Sequence, residues 1–151
     1  MANLACGCPG SQVRTVEKNV SENTQIGRVE SELRQWPTQL HLVPPTAPYL
    51  QDAHLLIAAD RAPFAYAEFH RDFIKDRVLV NACPKLDDTS PYVDKLATMI
   101  ADNNILSVTV TIMEVPCCRG LAMFAQQAIA KSGKDVPLEV AVIGVDGQRR
   151  S

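Results

Sequence analysis

The sequence lacks any apolar run close to the roughly 20 residues that a membrane-spanning helix needs, so we expect no transmembrane segment. It also lacks a basic block longer than the pair Arg149-Arg150, and its formal net charge is −2. Because a nucleic-acid-binding face requires clustered lysine and arginine, nucleic acid is not an expected partner. The first residues carry no charged segment followed by an apolar stretch, which indicates no secretion signal and predicts a cytoplasmic protein.

Nucleotide-binding motifs are also missing. The chain has neither a G-x-G-x-x-G string nor a P-loop, and the glycines Gly144 and Gly147 are too isolated to indicate a nucleotide site. What is present is an ordinary globular composition, with 46% hydrophobic and 21% charged residues among 151. That length suits one domain with one core. We predict a cysteine-containing N-terminal loop and polar connecting segment over residues 1–37, packed on an α/β domain over residues 38–151.

Apolar runs alternate with helical periodicity from Thr38 onward. Runs of this kind are typical of strands covered on both faces, and they predict five strands, at Gln39–Val43, His54–Ala59, Arg77–Ala82, Val108–Val115 and Leu138–Val145. Between them, apolar residues at helical spacing predict helices within 62–73, 93–100 and 121–129. We therefore expect an α/β fold of three layers, with a mostly parallel sheet of about five strands and helices on both faces.

Local signals predict where helices begin and end. Ser90-Pro91 indicates an N-cap followed by proline at the first helical position. Gly133, after Ser132, indicates a helix stop. A helical turn is also expected near Ser31–Gln35, within a polar segment that is otherwise read as irregular.

Five cysteines are the unusual feature of the composition, at positions 6, 8, 83, 117 and 118. Their number is odd and two are adjacent, which makes a secreted disulfide framework a poor explanation. In a reducing compartment, clustered cysteines more often indicate metal ligation or thiol chemistry. A single free cysteine is often only a small buried hydrophobe, but here proline or glycine lies beside these thiols at loop positions.

Strand ends bring several of these residues to one edge. Cys83 follows the third predicted strand, and the pair Cys117-Cys118 follows the fourth, just before a helix. Asp60 ends the second strand, where it could instead cap the next helix. Because parallel strands point their carboxyl ends at the same edge, these side chains are expected to converge. The loop that carries Cys6 and Cys8 is expected to fold over this edge.

The start of the helix after Cys118 bears on thiol chemistry. Free backbone N–H groups and Arg119 are expected to favour a thiolate there. Four thiolates can hold zinc or an iron–sulfur cluster. The spacings C-x-C, a single C and CC match neither a zinc knuckle nor the four-cysteine ferredoxin run. Dispersed cysteines suit a cluster, whose iron atoms lie apart. The adjacent pair would strain on one metal atom, so one of Cys117 and Cys118 is expected to be spare.

The remaining polar candidates are given structural roles. His41, His54 and His70 have no ligand spacing and are interpreted as structural or surface residues. Asp87 and Asp88 precede Ser90-Pro91 and are interpreted as the start of that helix.

Four strings resemble one known family, and they are CGCPGS at Cys6–Ser11, SELRQWP at Ser31–Pro37, CPKLDD at Cys83–Asp88 and MEVPCC at Met113–Cys118. The chain resembles the C-terminal cysteine-rich domain of a family of (4Fe–4S)-binding proteins of anaerobic bacteria and archaea. Members of that family commonly carry a ferredoxin-like domain before this region, and this sequence has no such motifs. The resemblance implies iron–sulfur binding and redox work, with the electron relay supplied by another protein.

The leading hypothesis is an iron–sulfur redox protein that transfers or stores electrons, and whose site could also reduce a small substrate. Its cluster, (4Fe–4S) by preference, would be held by Cys6, Cys8, Cys83 and either Cys117 or Cys118, and tuned by Arg119. The expected partner is an electron-transfer protein such as a ferredoxin or a reductase, and homo-oligomer formation is left open. Two alternatives also stay open. One is a metal-free redox enzyme using Cys117-Cys118 as a vicinal dithiol, and the other is a zinc-stabilised interaction module.

Overall fold

A computed structural model gives the fold and describes residues 9–17 and 27–150. Within those ranges the strands are β1 (Arg14–Thr15), β2 (Gln35–Trp36), β3 (His54–Ala59), β4 (Val78–Ala82), β5 (Ser107–Met113) and β6 (Leu138–Ile143). The α-helices of the same ranges are α1 (Ala62–Ala65), α2 (Tyr92–Asp102) and α3 (Arg119–Ser132). Shorter turns of 3₁₀ helix lie at Pro9–Ser11, Pro48–Leu50 and Pro116–Cys118, and a π-helical turn lies at His70–Ile74.

The core is a parallel sheet of four strands in the order β4–β3–β5–β6. Ile57 in the middle of β3 lies between Val80 of β4 and Val110 of β5, and all three side chains are fully buried. The continuous apolar runs follow from this position, since a strand with neighbours on both sides and helices on both faces meets little water. The predicted α/β fold class is confirmed.

Helices cover both faces because the chain reverses direction across the sheet. From β3 the chain moves to β4 by way of α1 and the π-helical turn, and then returns past β3 to β5 by way of α2. With right-handed crossovers, these opposite moves place α1 on one face and α2 on the other. The step from β5 to β6 continues in the second direction, so α3 lies beside α2.

The predicted strand Gln39–Val43 is wrong. Only Gln39 pairs with the sheet, in a single parallel bridge to Asn81 of β4, and the chain then turns. Two backbone bonds frame that bridge, from Asn81 N to Thr38 O at 2.9 Å and from Leu40 N to Asn81 O at 3.0 Å. Leu40 and Val43 are both buried, three residues apart, which is the spacing of a turn on the core and not of a strand. The short segment therefore covers the outer edge of β4 near its carboxyl end.

Helix boundaries match the sequence in part. Gly133 ends α3 in the left-handed conformation with φ +71°, as predicted. Ser90 is not the N-cap of α2, which begins one residue later than expected with Pro91 at that position, because the Ser90 hydroxyl donates to Asp88 Oδ1 at 2.8 Å. The periodicity within 62–73 yields two short helical pieces, separated by extended backbone at Tyr66. Within the described ranges, none of the helices has the length and apolarity needed to cross a membrane.

A tight turn after β6 explains the two glycines near the end of the chain. Gly147 has φ +84°, and a Cβ built there would lie 2.7 Å from the carbonyl oxygen of Ala65. The turn sends the chain back antiparallel, so that Arg149 bridges Ile143 and Arg150 N donates to the carbonyl oxygen of Val142 at 2.7 Å. These glycines form the turn, and the returning segment covers the outer edge of β6.

The N-terminal segment is attached beside β4. β1 and β2 form an antiparallel pair, and the indole Nε1 of Trp36 donates to the carbonyl oxygen of Gly10 at 2.7 Å. The buried amide of Gln35 in turn donates to the carbonyl oxygen of Leu79 at 2.6 Å. The helical turn expected near Ser31–Gln35 is wrong, because residues 31–34 form no helix and Gln35 lies in β2, where its side chain reaches β4. The boundary proposed between residues 37 and 38 stays a prediction.

Candidate functional site

The reversal in strand order defines a crevice at the carboxyl edge of the sheet. β4 and β5 lie on opposite sides of β3, and the connections that follow β3 and β4 run in opposite directions. The loops after these strands therefore separate at this edge, which is where open α/β sheets bind ligands. In this chain those loops carry Asp60 after β3, Cys83 after β4 and the Cys117-Cys118 pair after β5.

The structure brings these residues together at one small pocket, which we call the thiol pocket. It encloses about 20 Å³, close to the room that a single water molecule occupies. Its lining is predominantly apolar. Asp60, Cys83, Cys117 and Cys118, separated by up to 58 positions in the sequence, all border it, together with Ala59, Arg61, Ala82, Pro84 and Lys85.

The adjacent cysteines differ sharply in environment. The 3₁₀ turn Pro116–Cys118 leads into α3, and it leaves Cys117 exposed and Cys118 buried. The two thiols are close enough for Cys117 to affect the pKa of Cys118. Burial raises the pKa of the Cys118 thiol, a hydrogen bond with the Met113 backbone lowers it, and the neighbouring Cys117 and Cys83 raise it further. Burial of Cys118 therefore opposes the thiolate that the start of α3 is expected to favour, and that expectation stays a prediction.

Cys83 is held by a carboxylate at the end of its own loop, residues Cys83–Asp87. Asp87 Oδ2 accepts a hydrogen bond from the backbone N–H of Cys83 at 3.0 Å, and the Asp87 N–H donates to the Cys83 carbonyl oxygen at 2.9 Å. The same Oδ2 accepts from the Gln39 side-chain amide at 3.2 Å and from the Tyr92 hydroxyl. One carboxylate thus fixes the loop from three directions, and the interpretation of Asp87 as merely the start of α2 is wrong.

Tyr92 also helps to hold Asp87 in place. Its ring is fully buried at the first position of α2, and burial followed by the hydrogen bond to Asp87 raises the pKa of its hydroxyl. The hydroxyl therefore remains a proton donor to Asp87 at every ordinary pH. Tyr92, Gln39 and this role of Asp87 were not predicted from the sequence. The available signal was a carboxylate four residues after Cys83 in a proline-containing loop.

Close packing joins the two cysteine-bearing loops. A Cβ built on Gly120, in the first turn of α3, would lie 3.5 Å from the Cβ of Pro84. The start of α3 therefore rests against the residue that follows Cys83. This contact fixes the distance between the Cys83 loop and the Cys117-Cys118 pair without any bond between the thiols.

Asp60 is engaged within the fold. Its Oδ1 accepts a hydrogen bond from the Asn81 side-chain amide at 2.8 Å, and its N–H donates to the carbonyl oxygen of Ala82 at 3.1 Å. It does not cap α1, whose first turn has no side-chain cap. Asp60 therefore ties β3 to β4 at the floor of the thiol pocket.

The other predicted site residues have different outcomes. Arg119 is exposed and follows Cys118 directly, but it does not border the thiol pocket. Cys6 and Cys8 lie outside the described residues, so their place at the site stays a prediction. None of the histidines borders the thiol pocket; His54 Nδ1 lies 2.7 Å from Ser107 Oγ, and His70 Nδ1 accepts from the Glu32 N–H at 3.1 Å. These bonds agree with structural roles.

The three described thiols are neighbours, yet they do not by themselves form a single-ion site. Within residues 9–17 and 27–150, no group of three or more His, Cys, Asp or Glu side chains has the arrangement of metal-ion ligands. A zinc ion bound at about 2.3 Å to each sulfur would require that arrangement.

A larger pocket of about 310 Å³ lies at the opposite edge, where β3 and β4 begin. Both of its arginines have partners: Arg34 pairs with Glu32 at 3.6 Å, and Arg77 donates to the Phe73 carbonyl oxygen at 2.9 Å. It contains no cysteine. The chemistry-bearing residues therefore lie at the smaller pocket.

Comparisons with known proteins agree with the architecture. The model of a protein family described as a Rossmann-like domain matches residues 47–149. An uncharacterized protein of Archaeoglobus fulgidus is 32% identical over 116 residues, which cover 77% of this chain and 81% of that protein. No solved structure matches the chain.

Proposed function

The chain belongs to the Rossmann-like domain family, and on that scaffold we propose that it is an iron–sulfur redox protein that transfers or stores electrons. One observation carries the proposal. Three cysteines from the ends of two strands border a single apolar pocket at the point where the strand order reverses. Cys83 lies in a loop and Cys117 is exposed in the 3₁₀ turn, both at the edge where open α/β sheets bind ligands.

The donor set favours a cluster over a single ion. The described thiols lack the arrangement that one zinc ion needs, whereas the iron atoms of a cluster lie apart and accept ligands from separate directions. The thiol pocket alone is too small to enclose four irons and four sulfides, so a cluster would lie partly outside it. Ligands for that outer part must come from elsewhere in the chain, and Cys6 and Cys8 are the remaining cysteines of the sequence.

Protein groups around the pocket would tune such a cluster. When bound, an iron–sulfur cluster supplies one-electron redox chemistry. Cys83 would be held by the Asp87 network, and Cys118 by its burial beneath the exposed Cys117. Arg61 and Lys85 border the same pocket, where their positive charge would offset that of thiolate ligands.

The motif resemblance supports the same chemistry. The strings CGCPGS, CPKLDD and MEVPCC resemble those of the (4Fe–4S)-binding family, and two of them contribute the thiols that meet at the pocket. Gly10, within the remaining string, accepts a hydrogen bond from Trp36, and the neighbouring Gln35 bonds to Leu79 of β4.

Metal analysis tests the proposal directly. Protein purified without oxygen is expected to be brown, with broad absorbance near about 400 nm and matching amounts of iron and acid-labile sulfide. Each is measured by colorimetric assay on the same sample, with zinc measured alongside. Colourless protein that takes up no iron or sulfide on reconstitution would overturn the proposal, and one zinc per chain would favour the interaction module.

A metal-free vicinal dithiol is the second candidate, because Cys117 and Cys118 are adjacent and both border the thiol pocket. A reactive dithiol needs at least one thiol of low pKa. Since burial raises the pKa of Cys118, we expect that thiol in metal-free protein to alkylate slowly at neutral pH, and faster only in the alkaline range. Site-resolved mass spectrometry after brief iodoacetamide treatment measures the rate. Rapid alkylation of Cys118 at pH 6 to 7 would instead favour the dithiol enzyme.

A further inference from the structure

Each loop that borders the thiol pocket also presents a cation and an exposed apolar side chain. The loop and helix after β3 carry Arg61 and Phe64, and the loop after β4 carries Lys85 and Leu86. The start of α3, after β5, carries Arg119 and Met123. We call these six residues the rim.

The rim cations are not used within the fold. The side chains of Arg61, Lys85 and Arg119 make no hydrogen bond or ion pair with any residue of the described ranges. Three of the acids nearby are engaged: Asp60 and Asp87 are half-buried and hydrogen-bonded, and Glu114 pairs with Arg150 at 3.1 Å. The fourth, Asp88, is exposed and accepts only from Ser90. A chain of net charge −2 thus presents free positive charge beside its thiols.

The apolar rim residues are exposed and do not belong to the hydrophobic core. Phe64 is 90% exposed, Leu86 72% and Met123 55%. Arg119 and Met123 are four residues apart on α3, so they lie on the same helix face. An aromatic side chain and arginines at the centre of a patch are the residues that most often carry the binding energy of protein interfaces.

From this arrangement we propose that the rim is the docking surface for an acidic electron-carrier protein. The proposal rests on the proposed redox function and names the surface by which its electrons are exchanged. Positive side chains steer an acidic partner, and the apolar side chains hold it once it has arrived. A small anionic substrate is disfavoured as the ligand of the rim. The pocket of about 20 Å³ is too small to admit it, and such a substrate would make no use of the exposed Phe64.

Binding of an acidic [2Fe–2S] ferredoxin, used as the probe, tests the rim by titration calorimetry at about 20 mM and about 300 mM salt. We expect the double variant Arg61→Glu/Lys85→Glu to bind at least about tenfold more weakly at low salt, with a smaller difference at high salt. Phe64→Ala is expected to bind about tenfold more weakly at both salt concentrations, because the lost contact is apolar. A basic c-type cytochrome should not bind the wild type.

A matched control places the same charge change at the other edge of the sheet. Lys75 and Lys134 are exposed near the starts of β4 and β6, and Lys75→Glu/Lys134→Glu should bind the ferredoxin within about twofold of wild type. Circular dichroism confirms that each variant is folded.

Several outcomes would overturn the docking proposal. They are no ferredoxin binding by the wild type, equal weakening by the control pair, binding of anionic vesicles in place of the protein, and a homodimer that Phe64→Ala dissociates. Rim substitutions that lower iron content but leave ferredoxin binding unchanged would also overturn it. Iron and sulfide are measured separately on each sample, so a failure of the redox function is distinguished from a failure of docking.

Discussion

Replacing Cys83 with serine is expected to lower the iron and sulfide content of anaerobically purified protein at least about tenfold, because a hydroxyl is a far weaker ligand for iron than a thiolate. The single cysteine after β4 has no neighbour that could take its place, in contrast to the adjacent pair. Cys83 is also the best-fixed thiol, since Asp87 bonds its backbone N–H and Gly120 packs against the proline that follows it.

Serine substitution of the two adjacent cysteines, Cys117 and Cys118, should have unequal effects on iron content. One of Cys117→Ser and Cys118→Ser is expected to retain most of the iron, and the other to lose it, because a single metal atom does not accept both without strain. Gly120→Ala is the matched control, since its added Cβ would meet Pro84 at an ordinary 3.5 Å contact and removes no donor. That variant should retain full iron. Full iron in Cys83→Ser would show that the ligands have been assigned wrongly.

Replacing Asp87 with alanine should destabilise even the metal-free protein, by about 2 kcal/mol in the free energy of unfolding. The substitution leaves three donors without their acceptor, the Cys83 N–H, the Gln39 amide and the buried Tyr92 hydroxyl. The cost arises because partly buried donors that lose their partner do not recover it from water. Urea unfolding of reduced, metal-free protein measures the change, and iron uptake by the same variant should also fall because the Cys83 loop is released.

The next residue provides the control for this prediction. Asp88 is exposed and accepts only from Ser90, so Asp88→Ala should cause a much smaller loss of stability and leave iron uptake intact. Asp87→Asn keeps an acceptor oxygen for the Cys83 N–H and should fall between wild type and Asp87→Ala. Equal effects of Asp87→Ala and Asp88→Ala would show that the carboxylate network does not hold the loop.

Strands that are buried on both faces could be predicted from the sequence. The observed β3, His54–Ala59, has the predicted bounds because five of its six residues face protein on every side, which produces an uninterrupted apolar run. Gln39–Val43 has similar composition, but its buried residues Leu40 and Val43 are fixed by a turn against Asn81. That contact is tertiary, so no local pattern distinguishes the turn from a short strand.

The meeting of the thiols followed from topology, whereas their environment did not. Parallel strands bring Cys83 and the Cys117-Cys118 pair to one edge wherever the loops are short. The burial of Cys118 depends on the 3₁₀ turn that precedes α3, and this burial raises the pKa of its thiol, an effect that spacing along the chain does not predict. The Asp87 network joins residues from positions 39, 83, 87 and 92, a combination that spacing along the chain does not reveal.

The two outer strands of the sheet are each covered where their backbone would otherwise be free. Thr38–Leu40 bonds to β4 at Asn81, and the returning segment at Arg149 and Arg150 bonds to β6. An uncovered edge strand can pair with a strand of another molecule and start aggregation. These two short segments therefore hinder edge-to-edge pairing between molecules. They also restrict how the molecule can assemble with other proteins. Extension of the sheet is blocked at these two points, which favours contact through the loops at the ends of the strands.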